Sequence, residues 1–425
     1  MIKIVLTVFV SVLTFHASAQ SFEEYFEHNT LRIDYIFAGN KDHQLIAVDE
    51  LKKMNGWYGK TRRLGEVPVE GNGQIIVCDH RSGKVIYRNS FSTLFQEWLS
   101  YPEAETTNRS FENVFLVPMP KDTVDVTLKL MDNRRRVVTS LTHRVVPTDI
   151  LIRKVGNHPT PYRTLQQSAD TSHCIHIAFV AEGYRPEEMD KFVGDARRAT
   201  DALFEHEPFK ATRDRFNVVA VMSPSEESGP SEPSKGIWKN TALHSNFDTF
   251  YSNRYLTTLH LKDLHDKLAG TPYEHIIVLV NTAEYGGGGI LNSYNLSMTD
   301  NPWFRPVVVH EFGHSFAGLG DEYAYEAEQI PMYPHNVEPW EPNLTTLADF
   351  KGKWENLIDK KTPVPTPATG KYKNKVGVYE GAGYSLKGVY RGMQDCRMRT
   401  NQYPEFCPVC QQAIHRLIDF YTSCL

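Results

Sequence analysis

Residues 310–314 read His310-Glu311-Phe312-Gly313-His314, and the chain continues Ser315-Phe316-Ala317-Gly318-Leu319-Gly320-Asp321-Glu322-Tyr323. Residues four apart on an α-helix share a face, so His310 and His314 offer two imidazoles to one point, with the Glu311 carboxylate beside the first. In that arrangement two histidines hold a zinc ion and the glutamate acts as general base on a metal-bound water. Val308, Phe312, Ser315, Phe316 and Leu319 form a mostly apolar stripe at helical spacing. The stripe predicts a helix with one buried side, and Pro306 suits its first turn.

A catalytic zinc takes a third protein ligand and keeps one position open. Asp321 is the leading candidate. On an unbroken helix it would lie roughly 10 Å along the axis from His314, too far to share a metal. The chain must therefore turn, and Gly318 or Gly320 supplies the left-handed conformation that ends a helix. Glu322 is the rival third ligand, and the remaining reading is that both carboxylates only solvate the helix end.

Upstream, Tyr285-Gly286-Gly287-Gly288-Gly289 follows an apolar run at 276–281. Such a glycine run lets another backbone come close, which fits either an edge pairing with extended substrate or a mobile loop. From about residue 150 the pattern alternates: strands over 175–180, 216–222 and 276–281, and amphipathic helices over 186–207 and 255–268. That order predicts an α/β domain ending in the His-Glu helix. The leading part differs. Short β-rich runs at 31–39, 74–78, 85–88, 112–117, 124–131 and 137–146 predict a β-sandwich, with Asp132-Asn133 as a hairpin turn and a short helix over 91–99. It contains no catalytic constellation, so support, shielding or substrate docking is expected of it. Residues 361–370 are proline-rich and predict an extended surface stretch.

The chain has 425 residues, 41% hydrophobic and 23% charged, which is room for two domains. A net charge of -5 with no basic block argues against nucleic acid as a partner. Residues 1–19 read as a secretory signal: Lys3, an apolar run over 4–15, then Ala17-Ser18-Ala19 before the cut. Gln20 would follow the cut, so no lipid anchor is indicated, and elsewhere no apolar run of about 18 residues predicts a membrane span. The expected location is periplasm or medium.

Cys396, Cys407, Cys410 and Cys424 crowd the carboxyl end, whereas Cys78 and Cys174 stand alone. In an oxidising compartment disulfide staples near the active site are expected. The alternative is a second, structural zinc, since Cys407-Pro408-Val409-Cys410 has ligand spacing. His244, His260 and His265 have no spacing tied to the motif and are read as surface or core residues.

The stretch HEFGHSFAGLGDEY, with NTAEYGGGGI upstream and CRMRT and FCPVC downstream, resembles the IgA-peptidase family of bacterial zinc metallopeptidases, which belongs with the metzincin-like enzymes. LRIDYIFAG, FSTLFQEWL and ENVFLVPMPK in the leading half are similar to that family's non-catalytic domain, so the resemblance covers most of the chain. It implies an exported endopeptidase with one catalytic zinc. The implied fold is multidomain α+β: a β-sandwich over 20–148, then a metzincin-like α/β zinc peptidase domain over 149–425. Metzincins place a glycine three residues and the third ligand six residues after the second histidine, and Gly318 and Asp321 each lie one residue later. The resemblance also makes Met398 the methionine of a turn packed beneath the zinc, and favours Tyr285, Gly286, Gly287 and Gly288 as the substrate edge. Tyr403 and Tyr323 are candidates to stabilise the oxyanion formed when water attacks a peptide carbonyl.

Three functions fit these residues. The first is a secreted zinc endopeptidase acting on a protein or peptide, immunoglobulin A being the substrate in the family's name. The second is a binding protein on a peptidase scaffold, against which an intact Glu311 speaks. The third is a zinc hydrolase of a non-peptide amide bond. Oligomeric state is not legible.

Overall fold

The computed structural model describes residues 21–171, 173–326 and 332–423. The expected signal segment, 1–19, and Cys424 lie outside the described residues.

The leading part contains a short helix α1 (Phe22–Tyr25), strands β1 (Phe26–Gly39), β2 (Gln44–Asn55), β3 (Gly73–Asp79) and β4 (Val85–Phe91), and helix α2 (Leu94–Trp98). Strands β5 (Arg109–Pro120), β6 (Val124–Met131), β7 (Val137–Val145) and β8 (Arg153–Lys154) follow. They form two sheets, β5-β1-β2-β8 and β4-β3-β6-β7, whose inner residues share one core: Ile33, Tyr35 and Phe37 meet Val126, Leu128 and Leu130. The alternation read over 124–131 is the burial pattern of β6, and the hairpin turn falls at Asp132, whose carbonyl accepts from Arg135 N–H at 2.9 Å.

β2 carried no strand signal because Asp49, Glu50, Lys52 and Lys53 break its alternation. One of those charges is buried by design of its surroundings. Asp34, fully buried on β1, accepts from Arg32 at 2.6 and 2.9 Å and from Lys52 Nζ at 3.0 Å. Arg32 also reaches Asp266 Oδ1 at 2.5 Å on a helix of the following domain. Removing one member of such a set leaves buried charge uncompensated. Asp34→Ala is therefore expected to lower stability by about 3–5 kcal/mol, read as a drop in the urea midpoint. A loss below about 1 kcal/mol would mean that water reaches both cations.

In the second part, β9 (Tyr162–Gln166), β10 (Ile175–Glu182), β11 (Phe216–Val221), β12 (His275–Val280), β13 (Gly287–Ile290) and β14 (Tyr294–Met298) form one sheet, in the order β13-β14-β12-β10-β11-β9. The four inner strands are parallel, and the two outer ones are antiparallel to their neighbours. Helices α3 (Met189–Phe204), α5 (Phe304–Ala317) and α6 (Pro408–Thr422) share a core with one face of this sheet. Every residue of β10 is buried, as a strand covered on both faces requires. Ile175, Ile177, Phe179 and Ala181 face the helices. Ala178 and Val180 belong to a core that continues through Phe247, Phe250 and helix α4 (Leu261–Leu268) into the β-domain. A small sheet of β15 (Leu344–Thr345), β17 (Ser385–Arg391) and β16 (Tyr379–Ala382) lies beyond the His-Glu helix.

The helix expected over 255–268 begins only at Leu261. Residues before it are held extended, with Tyr255 bridged to Gly287 and Thr257 to Asn246. The helix expected over 186–207 is split into a 3-10 turn, Pro186–Glu188, and α3.

Candidate active site

His310 and His314 lie on successive turns of α5, 13% and 16% exposed, with their Nε2 atoms 3.1 Å apart. Each ring's Nδ1 faces a backbone carbonyl, Arg397 O at 3.0 Å for His310 and Leu319 O at 2.5 Å for His314. A carbonyl only accepts, so Nδ1 carries the hydrogen and Nε2 is left with its lone pair directed inward.

α5 ends where Gly318 takes φ +61°, with Leu319 N–H reaching back to Gly313 O at 3.1 Å. A Cβ at Gly318 would stand 2.7 Å from the Trp340 ring and 2.9 Å from Val69. Gly320 does not adopt the left-handed conformation, so of the two glycines read as turn residues Gly318 makes the turn. Asn343 then pins the returning chain, accepting from Gly320 N–H at 2.7 Å and donating to Gly320 O at 2.9 Å.

The turn carries Asp321 back to the histidines. Its Oδ1 lies 3.2 Å from His310 Nε2 and 3.3 Å from His314 Nε2 and has no hydrogen-bond donor, while its Oδ2 accepts from Tyr384 O–H at 2.5 Å. Metal bonds of about 2.0–2.1 Å in a tetrahedron place ligand atoms roughly 3.3–3.4 Å apart. Three acceptor atoms at that spacing, one of them a buried carboxylate oxygen without a donor, fit a zinc ion.

The electrostatics agree. Burial alone would raise the Asp321 carboxyl, but His314 and His310 outweigh it and hold it far below the usual carboxylate range. Burial alone would lower the His314 imidazole, but Asp321 and Glu311 outweigh it and push it up to about 9. A pocket with that appetite for positive charge is met by a divalent cation. The Glu311 carboxyl is raised by burial, in part offset by His310 and His314.

Glu322 is not brought to this group, which corrects its reading as the rival ligand. It is fully buried on the other side of the chain, accepting from Asn343 Nδ2 at 2.9 Å and facing Cys410 Sγ at 3.1 Å. The expected staples are also absent among the described residues. Cys78, Cys174, Cys396, Cys407 and Cys410 are free, and Cys396 Sγ stands 3.7 Å from Cys410 Sγ. Met398 sits in a turn under α5, fully buried, so close that a Cβ at Gly313 would come within 2.8 Å of its sulfur.

The glycine run forms β13 at the sheet's edge, bridged on its outer side at one residue, Gly287 to Tyr255. Its glycines have a local cause. A Cβ at Gly287 would lie 2.7 Å from Glu311 Oε1, and one at Gly289 would lie 2.5 Å from Glu311 O. Gly287, Gly288 and Tyr285 line the cleft, whereas Gly286 turns beneath Phe247.

That cleft has a volume of about 1310 Å³ and is walled on one side by the leading domain, through Gln96 and Glu97 of α2 and Asp132, Arg135 and Arg136 of the β6–β7 turn. Glu97 accepts from Tyr255 O–H at 2.6 Å, and burial pushes its carboxyl up to about 7. None of these residues was signalled as functional by the sequence.

The tyrosines are sorted by their protons. Tyr384 spends its O–H on Asp321, so at the 3.0 Å contact between the two hydroxyls Tyr323 must donate to Tyr384. Tyr323 thus supports Asp321 and has no hydrogen left for an oxyanion. Tyr403 is not among the residues lining the cleft. Tyr285 accepts from Asn401 Nδ2 at 2.9 Å and keeps its own O–H for the cleft. Of the other histidines, His244 and His260 are at the surface beside Asp263, and His265 is buried against Tyr273 O–H at 2.9 Å. Among the described residues no helix is long and apolar enough to cross a membrane.

A family model described as IgA Peptidase M64 matches residues 164–373 and 368–418, and one described as Peptidase M64 N-terminus matches residues 21–142. No curated protein matches the chain.

Proposed function

The chain belongs to the IgA peptidase M64 family, and from that premise we propose that it is a zinc-dependent endopeptidase, exported to periplasm or medium. The observation that carries the reading is the inward-facing triangle of His310 Nε2, His314 Nε2 and Asp321 Oδ1 with Glu311 on the cleft side of the same helix. When bound, zinc supplies a Lewis acid that polarises the scissile carbonyl and acidifies water.

The chain's own residues do the rest. Glu311 takes a proton from the attacking water and returns it to the leaving amine. Tyr285 directs its free O–H at the developing oxyanion. Tyr384 and Tyr323 hold Asp321 in place, and the carbonyls of Arg397 and Leu319 fix the imidazole tautomers. An extended substrate lies in the cleft across Gly287 and Gly288, beside the Tyr255 that bridges the outer edge of β13 at Gly287. The leading domain closes the opposite wall and so contributes to which sequences are accepted. Immunoglobulin A, from the family's name, is the first natural substrate to assay.

The test is digestion of a denatured protein mixture with and without a chelator, alongside elemental analysis of the purified chain. Zinc together with chelator-sensitive cleavage is expected. Zinc without cleavage would move the assignment to a non-peptide amide, and no zinc after it is supplied would move it to a binding protein.

A further inference from the structure

Behind the histidine cluster lies a second group of ligand-type atoms. Glu322 Oε1 and the sulfurs of Cys396, Cys407 and Cys410 all lie within 4.8 Å of one another, and all four residues are at most 1% exposed. Bonds of about 2.3 Å to sulfur in a tetrahedron place sulfurs about 3.8 Å apart, and Cys396 Sγ to Cys410 Sγ is 3.7 Å. With a zinc–oxygen bond near 2.1 Å the sulfur–oxygen edge is about 3.6 Å, and the two observed, 3.1 Å from Cys410 and 4.0 Å from Cys407, straddle it. A disulfide needs sulfurs about 2.05 Å apart.

Three further features suit metal-bound thiolates. Cys396 Sγ accepts two backbone N–H groups, from Cys407 at 3.2 Å and Met398 at 3.5 Å. Cys407 caps the N-terminus of α6 and Cys410 lies in its first turn, where the helix dipole favours negative charge. Glu322 Oε2 is buried without a hydrogen-bond partner, while Oε1 is oriented by Asn343 Nδ2.

We propose that Glu322, Cys396, Cys407 and Cys410 bind a structural zinc ion, separate from the one held by the histidines. Binding displaces the thiol protons to solvent, and no electron transfer is involved. Four protein ligands close the coordination sphere, as in structural rather than catalytic zinc sites. Its position gives it a task. Glu322 follows Asp321 directly, and Cys396 precedes Arg397, whose carbonyl orients His310, and Met398, whose carbonyl accepts from Glu322 N–H at 2.9 Å. The second ion therefore ties the Asp321 turn, the Met398 turn and α6 into one unit.

The assignment does not depend on peptidase activity. The experiment measures zinc per chain and the zinc X-ray absorption spectrum of three full-length proteins: the native one, His310→Ala/His314→Ala, and Cys407→Ser/Cys410→Ser. Expected are about two zinc ions in the native chain, and about one in the histidine variant with a sulfur-dominated shell near 2.3 Å. The cysteine variant, if it folds, should lose every zinc–sulfur contribution. A histidine variant without zinc overturns the proposal even if the cysteine variant is insoluble. So does a native chain whose single zinc sees only nitrogen and oxygen, which would leave the peptidase reading intact. A non-reduced mass lighter by one pair of hydrogens, mapped to Cys396 and Cys410, overturns it in favour of a disulfide.

Discussion

Replacing Glu311 by glutamine is expected to lower peptide cleavage by about 10²–10⁴-fold, the range spanned by a positioned general base, while the zinc bound at the histidines stays in place. Glutamine keeps the shape and the hydrogen-bonding reach of the side chain but cannot take up a proton. The residues proposed to hold the metal are His310, His314 and Asp321, none of which the change touches. The geometry also limits how far the amide can stray, because Gly287 packs against the Glu311 carboxylate so tightly that a methyl group would not fit between them. Burial raises the Glu311 carboxyl and a cation bound beside it would lower it, so the acid limb of the native activity profile, along which activity grows as pH rises, reports the balance of the two. Steady-state cleavage against pH, with elemental analysis of both proteins, checks this. Retained activity would place the base elsewhere.

The second large effect is on metal affinity. Asp321→Ala removes one of three converging atoms and is expected to weaken zinc binding at the histidines by more than about 100-fold, beyond what changes in the outer shell reach. Tyr384→Phe removes only the O–H that orients Asp321 Oδ2 and is expected to cost about 10–100-fold. Competition with a chromogenic chelator ranks the two. The reverse order would remove Asp321 from the ligand set.

The parts of this site that could be read in advance are those encoded locally. His310, Glu311 and His314 are brought together by helical periodicity alone, and the need for a left-handed glycine before Asp321 follows from helix length. Residues supplied by distant segments were invisible. Tyr384 lies 63 positions from Asp321, and Asn343 lies 23 from Gly320. No spacing rule connects either pair. Glu322, the rival reading for the third ligand, faces Asn343 and Cys410 instead, because adjacency in sequence says nothing about which side of an irregular segment a side chain leaves. The fold shows the same division. β6 and β10 were legible from alternation and from a continuous apolar run. β2 is hidden by four charges, of which Lys52 is tolerated inside because Asp34, on another strand, accepts from it.

The core that runs from the central sheet into the β-domain has a consequence for how the chain can be divided. Phe250 packs on Tyr101 and Phe111, α4 is joined to β1 by the Arg32–Asp266 ion pair, and Leu291 exchanges hydrogen bonds with Ser92. A cut near residue 148 would leave Phe250 and Leu261 facing water and strip Asp266 of its buried guanidinium. The two family segments are therefore separable as text but are expected to melt in one cooperative transition, because the wall of the cleft that each supplies rests on a core they share.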